Sequence, residues 1–315
     1  MAFPDFQSVK PTAYAVVEQS PNARRLICLH TVIPAAVSLV LTVMSYLLSK
    51  QVEGTGGLGG LGLRSFLESA QSMLQVINMI FTLFWTYGLY RIVIHWSRGQ
   101  RAWDSDLLAG FHHIGPILRV SLLQILLYSG VVILALQLSS ILFSMTPLAA
   151  DITALAQQLL EDPNFMPTEE QILQATRLFM PFLVIVLLVL FLPVFYRLRM
   201  AEFVVMDAPE KGALYALRFS SKLMRGNCLK LLKFDLGFWW FYLLEVLAGF
   251  LFYGDWILEL LGIDLGLSAD VLFFIACIMG LIAQTALYIW RKNQIMTAYA
   301  LVYRQLLPKQ EETAT

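Results

Sequence analysis

The sequence predicts an all-α integral membrane protein with six transmembrane helices and amphipathic cytoplasmic helices between spans two and three and between spans four and five. Three observations carry this. Hydrophobic residues make up 58% of the chain, charged residues only 14%, and the mean hydropathy is +0.68, whereas soluble domains are about 45–50% apolar. Six apolar runs each reach the roughly 20 residues that a span needs. Polarity is also segregated: of 22 Lys and Arg, Lys50, Arg64 and Arg177 fall on one side of the implied topology and the other 19 on the opposite side. Cations accumulate on the inner face of a membrane, so both termini are placed in the cytoplasm. The organisation is a cytoplasmic segment over 1–25, a single six-span membrane domain over 26–307 and a polar tail over 308–315.

Residues 1–25 are polar and mixed and end in Ser20-Pro21-Asn22-Ala23-Arg24-Arg25, a helix start with an arginine flank. They lack the charged-then-apolar pattern of a signal peptide. Span one is Leu26–Leu48, with Pro34 inside it. Glu53–Gly62 is glycine-rich and contains Gly57, Gly59 and Gly62 in a G-x-G-x-x-G series. A dinucleotide turn needs a preceding strand, so this stretch reads as a linker. Span two, Phe66–Trp96, carries Glu68, Gln71, Gln75, Asn78 and Thr82 at steps of three and four. That spacing puts them on one helix face, expected to face the bundle interior because lipid would leave them unpaired. The link 97–115 contains a short helix begun by Asp104 or Ser105. Its neighbours His112 and His113 diverge by about 100° on a helix, so they do not chelate one metal together.

Span three is Pro116–Phe143. The external loop 145–177 carries several acids and one helix near 149–160, and span four is Leu178–Tyr196 with Pro181 and Pro193. A basic amphipathic helix is predicted from Ala208 to Arg225. Asp207 caps it, Pro209 sits in its first turn, Glu210 completes a capping box and Gly226-Asn227 stops it. Lys211, Arg218, Lys222 and Arg225 fall within an arc of roughly 60°, opposite Ala213, Ala216, Leu217, Ser220, Leu223 and Met224. Such a helix lies on an apolar surface with its cations aligned, and it is the candidate lipid- or partner-binding site.

Span five, Leu229–Tyr253, holds Asp235 and Glu245, the acids most costly to bury. Glu245 lies about 12 Å from the outer end, where an ionised carboxylate needs a partner. No Lys or Arg is expected at that depth. Gln75 is the expected partner, Asn78 the next, and Gln284 of span six (Asp270–Trp290) a weaker one. The chain then leaves through Trp290-Arg291-Lys292-Asn293 into a helix over Gln294–Leu307.

The series Tyr196…Asp207-Ala208-Pro209-Glu210, Leu223-Met224-Arg225-Gly226-Asn227 and Phe234-Asp235-Leu236-Gly237-Phe238-Trp239-Trp240 resembles the bacterial integral membrane family numbered 975 among the domains of unknown function. Leu107 to Phe111 resembles that family's stretch between spans two and three, and Ala298-Tyr299…Tyr303 its closing motif. Where the family has Pro-Gly-Ile, this chain reads Pro193-Val194-Phe195. The resemblance implies a six-helix architecture and no particular activity. The membrane domain of some glycerophosphodiester phosphodiesterases is similar in architecture, but the catalytic barrel of those enzymes is absent here.

No catalytic motif is present: no G-x-S-x-G, no H-E-x-x-H and no Walker sequence. Cys28, Cys228 and Cys277 are scattered, without C-x-x-C, and imply neither zinc nor disulfides. No cofactor, metal or nucleic acid is expected. The partners are membrane lipids and a protein partner in the membrane. Three functional readings follow, in this order. One is a non-catalytic module of the cell membrane acting through Lys211, Arg218, Lys222 and Arg225. Another is a small transporter or channel using Glu245, Asp235 and Gln284 with Gln71, Gln75 and Asn78. The last is an enzyme acting on lipid headgroups.

Overall fold

The computed structural model describes residues 6–54, 61–146, 168–254, 266 and 268–308, and its elements are all helical. The predicted glycines Gly57 and Gly59 and the predicted helix at 149–160 lie outside the described residues. The first helix was not predicted. α1, Val9–Gln19, buries Val9, Ala13 and Val17, which recur every four residues. Asn22 then takes a positive φ of 63°, which asparagine tolerates, and the chain turns into α2, Ala23–Gly54. Pro34 lies inside α2 without ending it.

α3 covers Leu61–Ser97, followed by a 3₁₀ turn at Asp104–Leu108, the four-residue α4 at Ala109–His112 and α5 at Ile114–Ser144. α6, Glu169–Leu198, starts at a reciprocal cap: Gln171 N–H donates to Thr168 Oγ1 (3.3 Å) and Thr168 N–H to Gln171 Oε1 (2.9 Å). α7 is Ala201–Asp207 and α8 is Ala213–Leu223. α9, Cys228–Leu236, and α10, Trp239–Phe250, are bent by 62° at the break between them. α11, Ala269–Leu287, passes through a π turn at Tyr288–Lys292 directly into α12, Asn293–Leu306. Among the described residues five helices are long and apolar enough to cross a membrane, and the count is six if α9 and α10 together form one bent span. The most apolar window of the Thr176–Asp207 span has mean hydropathy 3.0, yet only 6% of it is buried. Leu126, Leu134, Ile185 and Val189 are similarly exposed. Water would penalise that much bare apolar surface, whereas hydrocarbon does not.

Two predicted boundaries are corrected. The basic helix does not start at Asp207. Asp207 is the last residue of α7, Pro209–Lys211 is a 3₁₀ turn, and Gly212 at φ 80° separates it from α8. Only glycine takes that conformation without a Cβ penalty, so the helix restarts at Ala213. Nor does the helix of span six end at Trp290. Nothing between Trp290 and Asn293 breaks a helix, and the chain stays helical through Leu306.

The chain divides into two compact units: Met1–Ile117 with Glu202–Gly212 and Leu229–Thr315, and Leu118–Ala201 with Ala213–Cys228. In the first, α2 pairs with α3, and Trp85 Nε1–H donates to the His30 carbonyl at 2.8 Å. α1 and α3 both pack on α12, which is buried over Ile295–Ala300 and at Val302 and Tyr303. The link after α3 folds back on it through two glycines. A Cβ at Gly88 would strike the Leu107 carbonyl, and one at Gly110 would strike the Phe84 carbonyl.

In the second unit, α5 meets α6 through aromatic pairs, Tyr128 with Phe191 (centroids 5.2 Å) and Phe143 with Phe182 (5.4 Å). α8 packs against α6. Ser220, fully buried, donates to the Arg197 carbonyl at 2.8 Å and accepts from the Met200 N–H at 3.2 Å. One hydroxyl thus satisfies the backbone on both sides of the break that ends α6. Ser220→Ala strands both groups and is expected to cost about 1–3 kcal/mol. A thermal midpoint in detergent equal to that of the unaltered protein would contradict this role.

Candidate functional site

The predicted site residues are distributed over four places. The first is α8. Arg218 and Lys222 are exposed on it, and Ala213, Ala216, Leu217, Ser220 and Leu223 are buried, as the helical spacing predicted. The helix ends at Leu223, short of the predicted Arg225, so Met224 (buried) and Arg225 (exposed) lie in the turn that follows. Lys211 does not join this stripe. It is exposed in the 3₁₀ turn before Gly212, within the other unit.

The second is Glu245. The expected partners Gln75 and Asn78 are not the ones it uses. Tyr288 Oη–H donates to Glu245 Oε1 at 2.6 Å and Lys292 Nζ reaches the same oxygen at 3.2 Å. Gln284 Nε2–H donates to Tyr288 Oη at 3.1 Å, and the Lys292 ammonium sits 3.9 Å from the Tyr288 ring centroid. Gln284, Tyr288 and Lys292 are four apart and share one face once α11 runs on through the π turn. The expectation that no cation lies at this depth failed because span six was ended two residues before Lys292. The long lysine stem carries its ammonium back towards the acid. The side chains of Glu245 and Lys292 are 28% and 32% exposed, so the pair is largely withdrawn from solvent.

The third is Asp235, which lies just before the break at Gly237. It accepts a hydrogen bond from Tyr299 Oη–H at 2.5 Å, and Tyr242 Oη lies 3.0 Å from Tyr299 Oη. Lys10 of α1 approaches the same break. Its ammonium is 4.4 Å from the Phe238 ring centroid and 5.3 Å from that of Phe234, and a Cβ at Gly237 would collide with it. Burial lowers the pKa of Lys10, and the negative charge of Asp235 opposes that shift.

The fourth is a cavity of about 270 Å³ between α2, α3 and α11. Gln71, Gln75 and Asn78 line it from α3, so part of the predicted polar stripe does share one concavity. Gln75 and Glu68 are nevertheless exposed, against the expectation that the whole stripe turns inward. α2 contributes Thr42, Ser45 and Ser49, and α11 contributes Phe273. These α2 hydroxyls are not among the residues expected from the sequence, since single hydroxyls in an apolar run carry a weaker signal than carboxamides and charges. Their spacing of three and four from Thr42 to Ser49 is the signal that could have found them.

Around the ends of α3 and α7, buried and half-buried polar groups hold the helices together. Arg98 pairs with Asp207 at 2.7 Å, Tyr303 Oη–H donates to Asp207 at 3.1 Å, and Arg304 donates to the Ser97 carbonyl at 2.7 Å. Arg91 donates to the Met206 carbonyl at 3.1 Å, and Tyr90 Oη bonds the Glu202 carboxylate. In the adjoining link, burial raises the Asp106 pKa, but contacts from the His95 ring (3.2 Å) and the Trp103 N–H (2.8 Å), with the charges of His95 and Arg91, hold it below the usual carboxylate range.

Compared with known protein families, curated proteins and solved structures, the chain matches none.

A carboxyl with a depressed folded-state pKa contributes stability that is present above its unfolded value, about pH 4, and is lost as pH falls through the folded one. Asp106→Asn is expected to cost about 1 kcal/mol at neutral pH and to flatten the loss of stability below pH 4. Thermal midpoints across pH 3–7 check this, and an unchanged acid limb would contradict it.

Proposed function

We propose that the chain is a non-catalytic multi-span protein of the cell membrane, with both termini cytoplasmic, whose α8 contacts anionic lipid headgroups. One observation carries the reading: Arg218 and Lys222 stand exposed on a helix that buries Ala213, Ala216, Leu217, Ser220 and Leu223, and Arg225 is exposed in the turn directly after it. Cations held by a docked helix and the turn that closes it lose little backbone freedom on meeting a charged surface. Each contributes on the order of 1 kcal/mol of attraction to an anionic leaflet. The 19-to-3 division of Lys and Arg supports placing this face on the cytoplasmic side. The transport reading finds less support at the acids. Glu245 and Gln284 are tied to Tyr288, with Lys292 also on Glu245, and Asp235 is tied to Tyr299. Their polar capacity serves the protein itself.

Two measurements test this. In intact cells, a membrane-impermeant thiol reagent is expected to label Thr168→Cys and to spare Pro308→Cys, in a chain whose own cysteines are replaced. The opposite pattern contradicts the orientation. In lipid nanodiscs, phosphatidylglycerol is expected to raise the thermal midpoint relative to phosphatidylcholine, and replacing Arg218, Lys222 and Arg225 by Gln is expected to remove most of that gain. A triple variant that keeps the full gain contradicts lipid contact. Its loss of a co-purifying acidic protein instead would transfer the same face to a protein partner.

A further inference from the structure

We propose that the cavity between α2, α3 and α11 is a binding site for an uncharged polyhydroxyl group. Its argument is independent of the α8 reading. Among the described residues, the side chains of Thr42, Ser45, Gln71 and Gln75 line the cavity without a hydrogen bond to protein. Asn78 receives one from Ser38 Oγ–H at 3.1 Å. Ser45 and Gln71 are half-buried, whereas Thr42 and Gln75 are exposed. Polar groups of spans are ordinarily bonded across helices, so four unused ones around a single concavity point to an occupant. The volume of about 270 Å³ holds about nine waters or one small polar molecule of comparable size.

The chemistry of the lining selects among occupants. Hydroxyls and carboxamides both donate and accept, which complements a ligand whose groups do both. Among the described residues, none that lines the cavity is charged. The nearby Lys50 and Asp270 neutralise one another at 2.9 Å, and Asp270 also takes the Tyr46 hydroxyl. An ion would enter with its charge uncompensated. Leu41, Leu74 and Phe273 give the cavity an apolar wall, against which the C–H face of a sugar ring can pack. The hydroxyls could belong to a free sugar or to the sugar headgroup of a neutral glycolipid.

The test uses Ser45→Cys in the full-length chain with Cys28, Cys228 and Cys277 replaced by Ser, reconstituted in phosphatidylcholine vesicles. The rate of modification by a small thiol reagent is measured with glucose, with glucosyl diacylglycerol in the vesicle, and with glucuronate as the charged control. At least threefold slowing by glucose is expected if the occupant is free, or by the glycolipid alone if it is a headgroup. Glucuronate is expected to have no effect. Gln75→Leu, added at a position already exposed, is expected to abolish the slowing, and its thermal midpoint checks folding. If that variant does not fold, Thr42→Val provides the same readout. No slowing by either probe, equal slowing by glucuronate, or slowing that survives the folded variant overturns the proposal.

Discussion

A carboxylate on an apolar helix needs a partner from the protein, and α9 and α10 carry one each. Glu245 is met by Lys292 and Tyr288, Asp235 by Tyr299. Much of the first unit follows from that need. For Lys292 and Tyr288 to present one face to Glu245, α11 must continue unbroken into α12, and the π turn is where it does so. For Tyr299 to reach Asp235, α12 must pack beside the broken span. α12 thus becomes a buried element, and its apolar residues Ile295, Met296, Ala298, Val302 and Tyr303 fill the same contact. Removing either acid would leave these groups without their counterpart, which in a low-dielectric setting costs more than the pair contributes.

The break in span five follows from the same arrangement. Gly237 weakens the helix, the chain bends by 62°, and the Lys10 ammonium lies against the opening between Phe234 and Phe238. A cation at the C-terminal end of α9 is favoured by the helix dipole as well as by Asp235. The N-terminal helix is held by this contact and by Val9, Ala13 and Val17. Another such contact is Arg291, whose guanidinium donates to Tyr14 of α1 at 2.5 Å.

The spans were legible in the sequence because hydropathy over twenty residues is a strong, additive signal. The buried face of α8 was legible for a similar reason, since its apolar residues recur with the helical period. Boundaries were not. Asp207-Ala208-Pro209-Glu210 has every residue of a helix start, yet Asp207 is claimed by Arg98, a partner more than a hundred residues away. α1 was missed because three small apolar residues among polar neighbours barely register in composition. The Glu245 site was half legible. The need for a partner followed from depth, but its identity depended on whether Lys292 lay inside or beyond the span. Two residues of helix decided that. The carboxamides of the cavity were found by periodicity, whereas the hydroxyls facing them became visible only when α2 and α3 were placed side by side.

The central claim is that the intramembrane acids are structural, each matched by a specific group. Reversing the charges of one pair tests this most directly. Glu245→Lys and Lys292→Glu, made singly, each place like charges together. Made together, they restore an opposite pair at the same two positions. The account predicts a lowered thermal midpoint for each single variant in lipid nanodiscs and recovery of more than half of the loss in the double variant. A double variant as unstable as the sum of the two single ones would show that Glu245 and Lys292 do not stabilise one another, and would contradict the account.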